Sequence, residues 1–141
     1  MIRFVDRTFV LWVTLGLLAP FFLGYALGGS FTAGLTGLLW GGLIRMLVVH
    51  HVTYSINSLC HVFGRRPYDT GDESRNVAWL APFTFGESWH NNHHAFPTSA
   101  AHGLRRRELD LSAAVIVALE RLGLAWDVVR VPPEKQAARA R

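Results

Sequence analysis

The chain has 141 residues, enough for one modest domain, and 50% of them are hydrophobic against 17% charged, with a mean hydropathy of +0.22. That balance excludes a disordered chain. A single cysteine, Cys60, excludes a disulfide framework and a cysteine-built zinc or iron–sulfur site within the chain, so metal chemistry falls to the seven histidines. The formal net charge is +4, and no nucleic-acid partner is expected.

Residues 8–44 contain no Asp, Glu, Lys, Arg or His. Within them, Phe9 to Gly28 is about twenty residues long, which at a rise of about 1.5 Å per residue matches a hydrocarbon core about 30 Å thick. This predicts a transmembrane helix, kinked at Pro20. Arg3 and Arg7 precede it as they would a signal peptide, but the run is long for one, and a second follows with no clear cleavage site between. Gly28-Gly29-Ser30 marks a turn, and Phe31 to Val49 is a second span interrupted only by Arg45. An arginine at mid-span costs roughly 2.5–3.5 kcal/mol, against roughly 0.3–0.6 gained per Leu, Ile, Val or Phe. The nine such residues here offset it, the more easily if Arg45 snorkels to the headgroups. The alternative, two buried helices of a soluble protein, is disfavoured because charge-free runs this long rarely occur outside membranes. Arg3 and Arg7 before the first span, and Arg65, Arg66 and Arg75 after the second, predict that both termini are cytoplasmic.

From Asn57 onward the chain is richer in Arg, Asp, Asn and His. An irregular stretch carries Gly64, Pro67, Gly71 and Pro82, a histidine-rich stretch runs from Gly86 to Pro97, and an amphipathic helix is predicted from about Ser112 to Leu122. Asp110 and Ser112 are its candidate caps, and Val115, Ile116, Leu119 and Leu122 share one face. Pro132-Pro133 is expected to end the ordered part. The expected organisation is a transmembrane hairpin with a cytoplasmic extension over residues 1–61, a cytoplasmic cap over 62–131, and a flexible basic tail over 132–141.

The strongest chemical signal is Trp89-His90-Asn91-Asn92-His93-His94. On a helix, positions i, i+3 and i+4 share a face, so His90, His93 and His94 can present three imidazoles to one small volume. A surface histidine run is the bland alternative. If the second span continues past the membrane, His50, Thr53, Asn57 and His61 form a polar stripe, in which Asn57 and His61 can supply a metal-bound water's amide partner and an imidazole. His50 is read as a packing or hydrogen-bonding residue, His51 as interfacial, and His102 as supporting or structural. Glu87 and Asn91 are expected to hold the ligands from behind, as carboxylates and carbonyls commonly do for metal-bound histidines. Neutral imidazoles suit iron, copper, zinc or nickel, and the lack of an HExxH base argues against the usual zinc hydrolases. An all-histidine centre beneath a membrane face is where an iron centre that oxidises lipid chains would sit.

The segments NSLCHVFGRRPYDTGDESRN (Asn57 to Asn76), GESWHNNHHAFPTSAAHG (Gly86 to Gly103) and LERLGLAWDVVRV (Leu119 to Val131) together resemble the C-terminal half of membrane acyl-CoA desaturases of the stearoyl-CoA desaturase type. The resemblance implies an all-α integral membrane protein: the second pair of helices of a four-helix bundle, followed by a helical cytoplasmic cap. It implies a centre of two iron ions that uses O2 to insert a cis double bond into a saturated fatty acyl chain. His61, His90, His93 and His94 would be metal ligands, with Asn57 a ligand through water and no catalytic residue separate from them. Thr53 and Tyr54 would border the acyl tunnel; Tyr54 stands where a Trp is frequent, and Ala101 where related sequences often have a basic residue. Implied partners are a fatty acyl-CoA or other acyl thioester, O2, the bilayer, and an electron donor such as ferredoxin, a cytochrome b5-like protein or a flavin reductase.

The HxxxxH and HxxHH boxes that such enzymes also use are not in this sequence, so residues 1–141 alone are expected to be inactive. A non-catalytic remnant or partner subunit, and a related histidine-box membrane hydroxylase, are the alternatives. Arg65, Arg66, Arg75 and the Arg105-Arg106-Arg107 cluster are expected to meet anions: headgroups, acyl-CoA phosphates or an acidic electron carrier. Thirteen Arg to one Lys suggests a GC-rich bacterial genome.

Overall fold

A computed structural model describes residues 2–141 and divides them into two compact units, one ending at His51 and the other spanning Val52–Arg141. Among the described residues every regular element is helical, and β pairing is confined to isolated bridges.

The first unit holds α1 (Ile2–Arg7), α2 (Phe9–Gly28), α3 (Phe31–Gly37), a π-helical segment (Leu38–Ile44) and the start of α4 (Arg45–Val62). The expected turn lies between α2 and α3. Gly29 takes the left-handed conformation (φ +61°) and donates its N–H to the Tyr25 carbonyl, and the Ser30 hydroxyl accepts the Ala33 N–H at 3.2 Å. The returning helix lies close against α2 because its near face is glycine. A Cβ on Gly41 would come within 2.7 Å of the Pro20 ring, and one on Gly34 within 2.8 Å of the Phe21 ring. Arg45 donates through Nε to the Gly41 carbonyl (2.6 Å) and through Nη2 to the Gly16 carbonyl (2.9 Å).

Two helices, Phe9–Gly28 and the continuous Phe31–Val62, are long and apolar enough to cross a membrane. In their most apolar windows 0% and 11% of the residues are buried within the chain, whereas the core helix of a soluble protein would be mostly buried. Phe9, Val10, Phe22, Leu27, Phe31 and Trp40 are all more than half exposed, an apolar surface suited to lipid rather than water.

The second unit is organised by short backbone exchanges. The Arg75 N–H donates to the Cys60 carbonyl near the end of α4 (2.7 Å), Arg65 and Asn76 exchange two bonds, and the Val77 N–H donates to the Ser88 carbonyl (2.9 Å). Ile56, Cys60, Val77 and Leu80 make one small core beneath this seam; Tyr68, Ala95 and Phe96 make another. After a 3₁₀ turn (Ala78–Leu80), the chain reverses through Phe85 (φ +55°) and Gly86 (φ +103°) into α5 (His90–Ala95). A side chain at Gly86 would collide with Asp110, so this reversal needs glycine twice over.

Asp110 caps α6 (Leu111–Arg121), one Oδ accepting the Ala113 N–H (2.8 Å) and the other the N–H groups of His102 and Gly103. The carboxylate, rather than Ser112, is thus the cap, and α6 starts and ends one residue earlier than expected. Its apolar side does not face a core in this unit: Val115, Leu119 and Leu122 are exposed. The segment after Pro132, expected to lack structure, contains α7 (Pro133–Ala138), begun by a proline that suits the first helical position. The Arg141 N–H donates to the Pro67 carbonyl, the Asp69 N–H to that of Arg139, and the Arg139 guanidinium to that of Ala95 while lying 5.6 Å from the Phe96 ring centre.

Candidate metal centre

Two elements bring the histidines together. The last turn of α4 carries His61, and α5 carries His90, His93 and His94. Their approach is fixed by the seam just described, since Cys60 beside His61 is tied to Arg75, and Val77 to Ser88, two residues before His90. A helix of six residues does not persist by itself, so α5 depends on its surroundings. Asn76 caps it: its Oδ1 accepts the N–H groups of Asn91 (2.9 Å) and Asn92 (3.2 Å), and its Nδ2 donates to Asn92 Oδ1 (2.6 Å).

Ligand nitrogens of His61, His90 and His94 all lie within 4.8 Å of one another. His61 Nε2 and His90 Nε2 are 3.2 Å apart, a separation at which one ring's N–H meets the other's lone pair unless a cation takes the proton's place. Burial, followed by the neighbouring imidazoles His94, His61 and His93, pulls the His90 pKa down to about 4, so the ring is neutral at physiological pH and keeps a lone pair to donate. His93 is also shifted down, first by burial and then by His102 and His94. Its ring lies against His102 (centroids 4.5 Å apart) and farther from His94 (5.7 Å) and His90 (6.2 Å), and its buried Nδ1 has no hydrogen-bond partner. The four expected histidines therefore divide into a convergent three and a neighbouring one. The downward shifts of His90 and His93 and the orphaned His93 nitrogen fit metal ions better than a protonated surface cluster.

Asn57 lies on α4 one turn before His61, exposed, with its amide donating to the Thr53 carbonyl (3.1 Å). Thr53 and Tyr54 are exposed on the same helix. His50 and His51 turn Nδ1 back to the Met46 and Leu47 carbonyls.

The residues expected behind the ligands fare differently. Glu87 is exposed, and the carboxylate that meets a histidine is Asp72, whose Oδ2 bonds His94 Nδ1. Asn91 is fully buried but holds the neighbouring loop rather than an imidazole: its Oδ1 accepts the Tyr68 N–H (2.9 Å), and its Nδ2 donates to the Tyr68 carbonyl (3.1 Å) and to the hydroxyls of Thr70 and Ser74. Asn92 does the corresponding work on the other side, donating to the His102 carbonyl and Glu108, each at 2.8 Å. Asp72 and Asn76 were missed by sequence reasoning. The available signal was the Asp72-x-Ser74 spacing, which favours a turn closed by the carboxylate on a backbone N–H. That bond is present at 2.9 Å.

The expected basic face is partly spoken for, since Arg66 and Arg75 both pair with Glu73. Arg65, Arg105, Arg106 and Arg107 line, with Trp79 and Trp89, a cleft of about 1080 Å³.

The sequence profile of the family described as fatty acid desaturase matches residues 2–118. The chain is 50% identical over 131 residues to the hex-5-enoyl-[acyl-carrier protein] acetylenase of Moorena producens (strain JHB), covering 93% of this chain and 40% of that protein. It is 46% identical over 138 residues to delta-9 acyl-lipid desaturase 1 of Arabidopsis thaliana, covering 97% and 42%. It is 41% identical over 132 residues to an acyl-CoA C20 delta5-desaturase of Anemone leveillei, covering 94% and 39%. The chain thus spans about two fifths of the length of these relatives, and its match to them runs through both candidate spans and the histidine cluster. With all-helical architecture, two helices of membrane-crossing character and that extent of similarity, the chain belongs to the fatty acid desaturase family.

Proposed function

We propose that this chain is the iron-binding, cap-bearing part of a membrane desaturase that acts on a saturated fatty acyl chain. The observation that carries the reading is the convergence of ring nitrogens of His61, His90 and His94 from two elements, all within 4.8 Å of one another. His61, His90 and His94 would hold one iron, with Asn57 contacting it through water, and His93 would contribute to the second. Iron, when bound, supplies activation of O2 and removal of two hydrogens from a methylene pair. The chain's own residues keep His90 neutral by burying it, hold α5 on its asparagine cap, and keep most bulk water from His90, which is 7% exposed.

Relatives are named for acyl-lipid, acyl-CoA and acyl-carrier-protein substrates, so the shared substrate feature is the acyl chain rather than its carrier. Thr53 and Tyr54 would border that chain, and an electron donor of the ferredoxin, cytochrome or flavin-reductase kind would supply reducing equivalents. The two apolar helices would cross the membrane and place the cap, residues 62–131, on the cytoplasmic side.

Four histidines and a water-holding asparagine are too few for two iron ions with room for O2, so residues 1–141 alone should bind iron and desaturate nothing. The test is to purify the chain from membranes, offer Fe(II), and compare bound iron with that of the His61→Ala, His90→Ala and His94→Ala variants. Each variant should hold less. Unchanged iron in all three would overturn the reading. New double bonds in membranes containing only residues 1–141, supplied with iron and reductant, would overturn the expected inactivity.

A further inference from the structure

The loop between Thr70 and Ser74 carries a carboxylate whose two oxygens have separate tasks. Asp72 Oδ1 accepts the Ser74 N–H (2.9 Å) and the Thr70 hydroxyl (3.1 Å), which fixes the carboxylate to its own loop. Its Oδ2 bonds His94 Nδ1. The loop cannot swing away easily, because the Asp72 carbonyl accepts Arg66 (2.5 Å), and Asn91, three residues before His94 on α5, holds Tyr68, Thr70 and Ser74. The carboxylate and the imidazole are therefore braced to each other from both sides.

We propose that Asp72 is the positioning residue of the metal centre: it fixes His94 in the Nδ1–H tautomer, leaving the Nε2 lone pair for a metal shared with His61 and His90. The inference rests on the reading of these histidines as an iron site and adds the residue that orients one of them. An imidazole has one proton for two nitrogens, so whichever nitrogen donates to a neighbour leaves the other as the ligand. A carboxylate at Nδ1 makes that choice and raises the donor strength of Nε2. A half-exposed His–Asp pair with free side chains would be an ordinary surface contact of little consequence. Here the side chains are 29% and 38% exposed, but the carboxylate is anchored independently of the histidine, so its direction is set before the ring arrives.

The test uses the full chain in lipid nanodiscs, with nitrogen chemical shifts of the His94 ring read without metal and Co(II) as the binding probe. Expected for the wild type is the Nδ1–H tautomer at His94. Expected for Asp72→Asn is loss of that single tautomer and about a 10–100-fold weaker Co(II) affinity, with Asp69→Asn, an exposed carboxylate three residues away, behaving as the wild type. A wild-type His94 protonated at Nε2 would overturn the proposal even if no variant folds. An Asp72→Asn chain with wild-type tautomer and affinity would overturn it while leaving the metal site standing. A wild type with the expected tautomer but no Co(II) binding beyond that of His61→Ala/His90→Ala would instead overturn the iron reading, and Asp72 would remain the residue that orients His94.

Discussion

His90 shows how one buried side chain makes the site responsive to acid. Its proton affinity in the folded chain is well below that of an exposed histidine, with a pKa of about 4 against an ordinary value of about 6.5. Between those values the unfolded chain binds a proton that the folded chain refuses, so stability falls as pH drops from about 6.5 towards 4 and is unaffected by this group above that window. Metal-free chain should therefore melt at progressively lower temperature from pH 7 to pH 4.5, and the slope should be shallower in His90→Gln. Equal slopes would mean that the acid sensitivity lies elsewhere. At Gly86 the constraint is steric: Gly86→Ala imposes a side chain at φ +103° and pushes on the Asp110 carboxylate, for an expected loss of about 1–3 kcal/mol in denaturant unfolding. His90 and His94 were legible from their i, i+4 spacing on one short segment, whereas the third member of the convergent group, His61, comes from another helix and was reached only through the polar stripe of α4. Asp72 was not, because it lies 22 residues from His94 in an irregular loop, and only the folded seam brings them together. Glu87 looked suitable by nearness in sequence, yet its side chain faces outward.

At the scale of elements, the histidine helix is held by its cap and flanks more than by its own sequence. Asn76→Ala removes the acceptor for two N–H groups at the start of α5 and the partner of Asn92. An N-cap of this kind is worth about 0.5–2 kcal/mol, and the buried, unsatisfied donors left behind add to it. The variant should lose both thermal stability and bound Fe(II); normal metal binding with a lowered melting temperature would confine the cap to a structural task. Hydropathy located α2, and periodicity α6 to within a residue or so, since a charge-free run and a spaced apolar face are local properties. It could not supply the environment of α6, whose Val115, Leu119 and Leu122 are exposed. The arginine-lined cleft invites a measurement on its own scale. Replacing Arg105, Arg106 and Arg107 by Gln should weaken recruitment of anionic vesicles to the nanodisc-embedded chain and flatten its dependence on salt, whereas Arg66→Gln, already paired with Glu73, should change it less. Vesicle binding insensitive to the triple replacement would exclude that cluster as an anion contact.

For the molecule as a whole, the two units were legible to different degrees. The first is dictated by hydropathy and by glycines whose absent side chains let two helices approach, so its outline follows from composition. The second depends on side chains of asparagine, aspartate and threonine bonding distant backbone, and such pairings leave no periodic trace. One feature of the first unit bears on how the protein is made. Arg45 is satisfied by carbonyls of both helices, Gly16 on the first and Gly41 on its own. When the segment from Phe31 leaves the ribosome without its predecessor, half of that solvation is missing, and partitioning from the translocon into the bilayer should be less efficient. On the proposed reading that both helices cross the membrane, the helical pair, not the single span, is the unit of insertion. In a glycosylation-reporter assay, residues 31–62 alone should integrate less completely than residues 1–62, and Arg45→Leu should erase the difference by making the second helix competent to enter the bilayer unaccompanied.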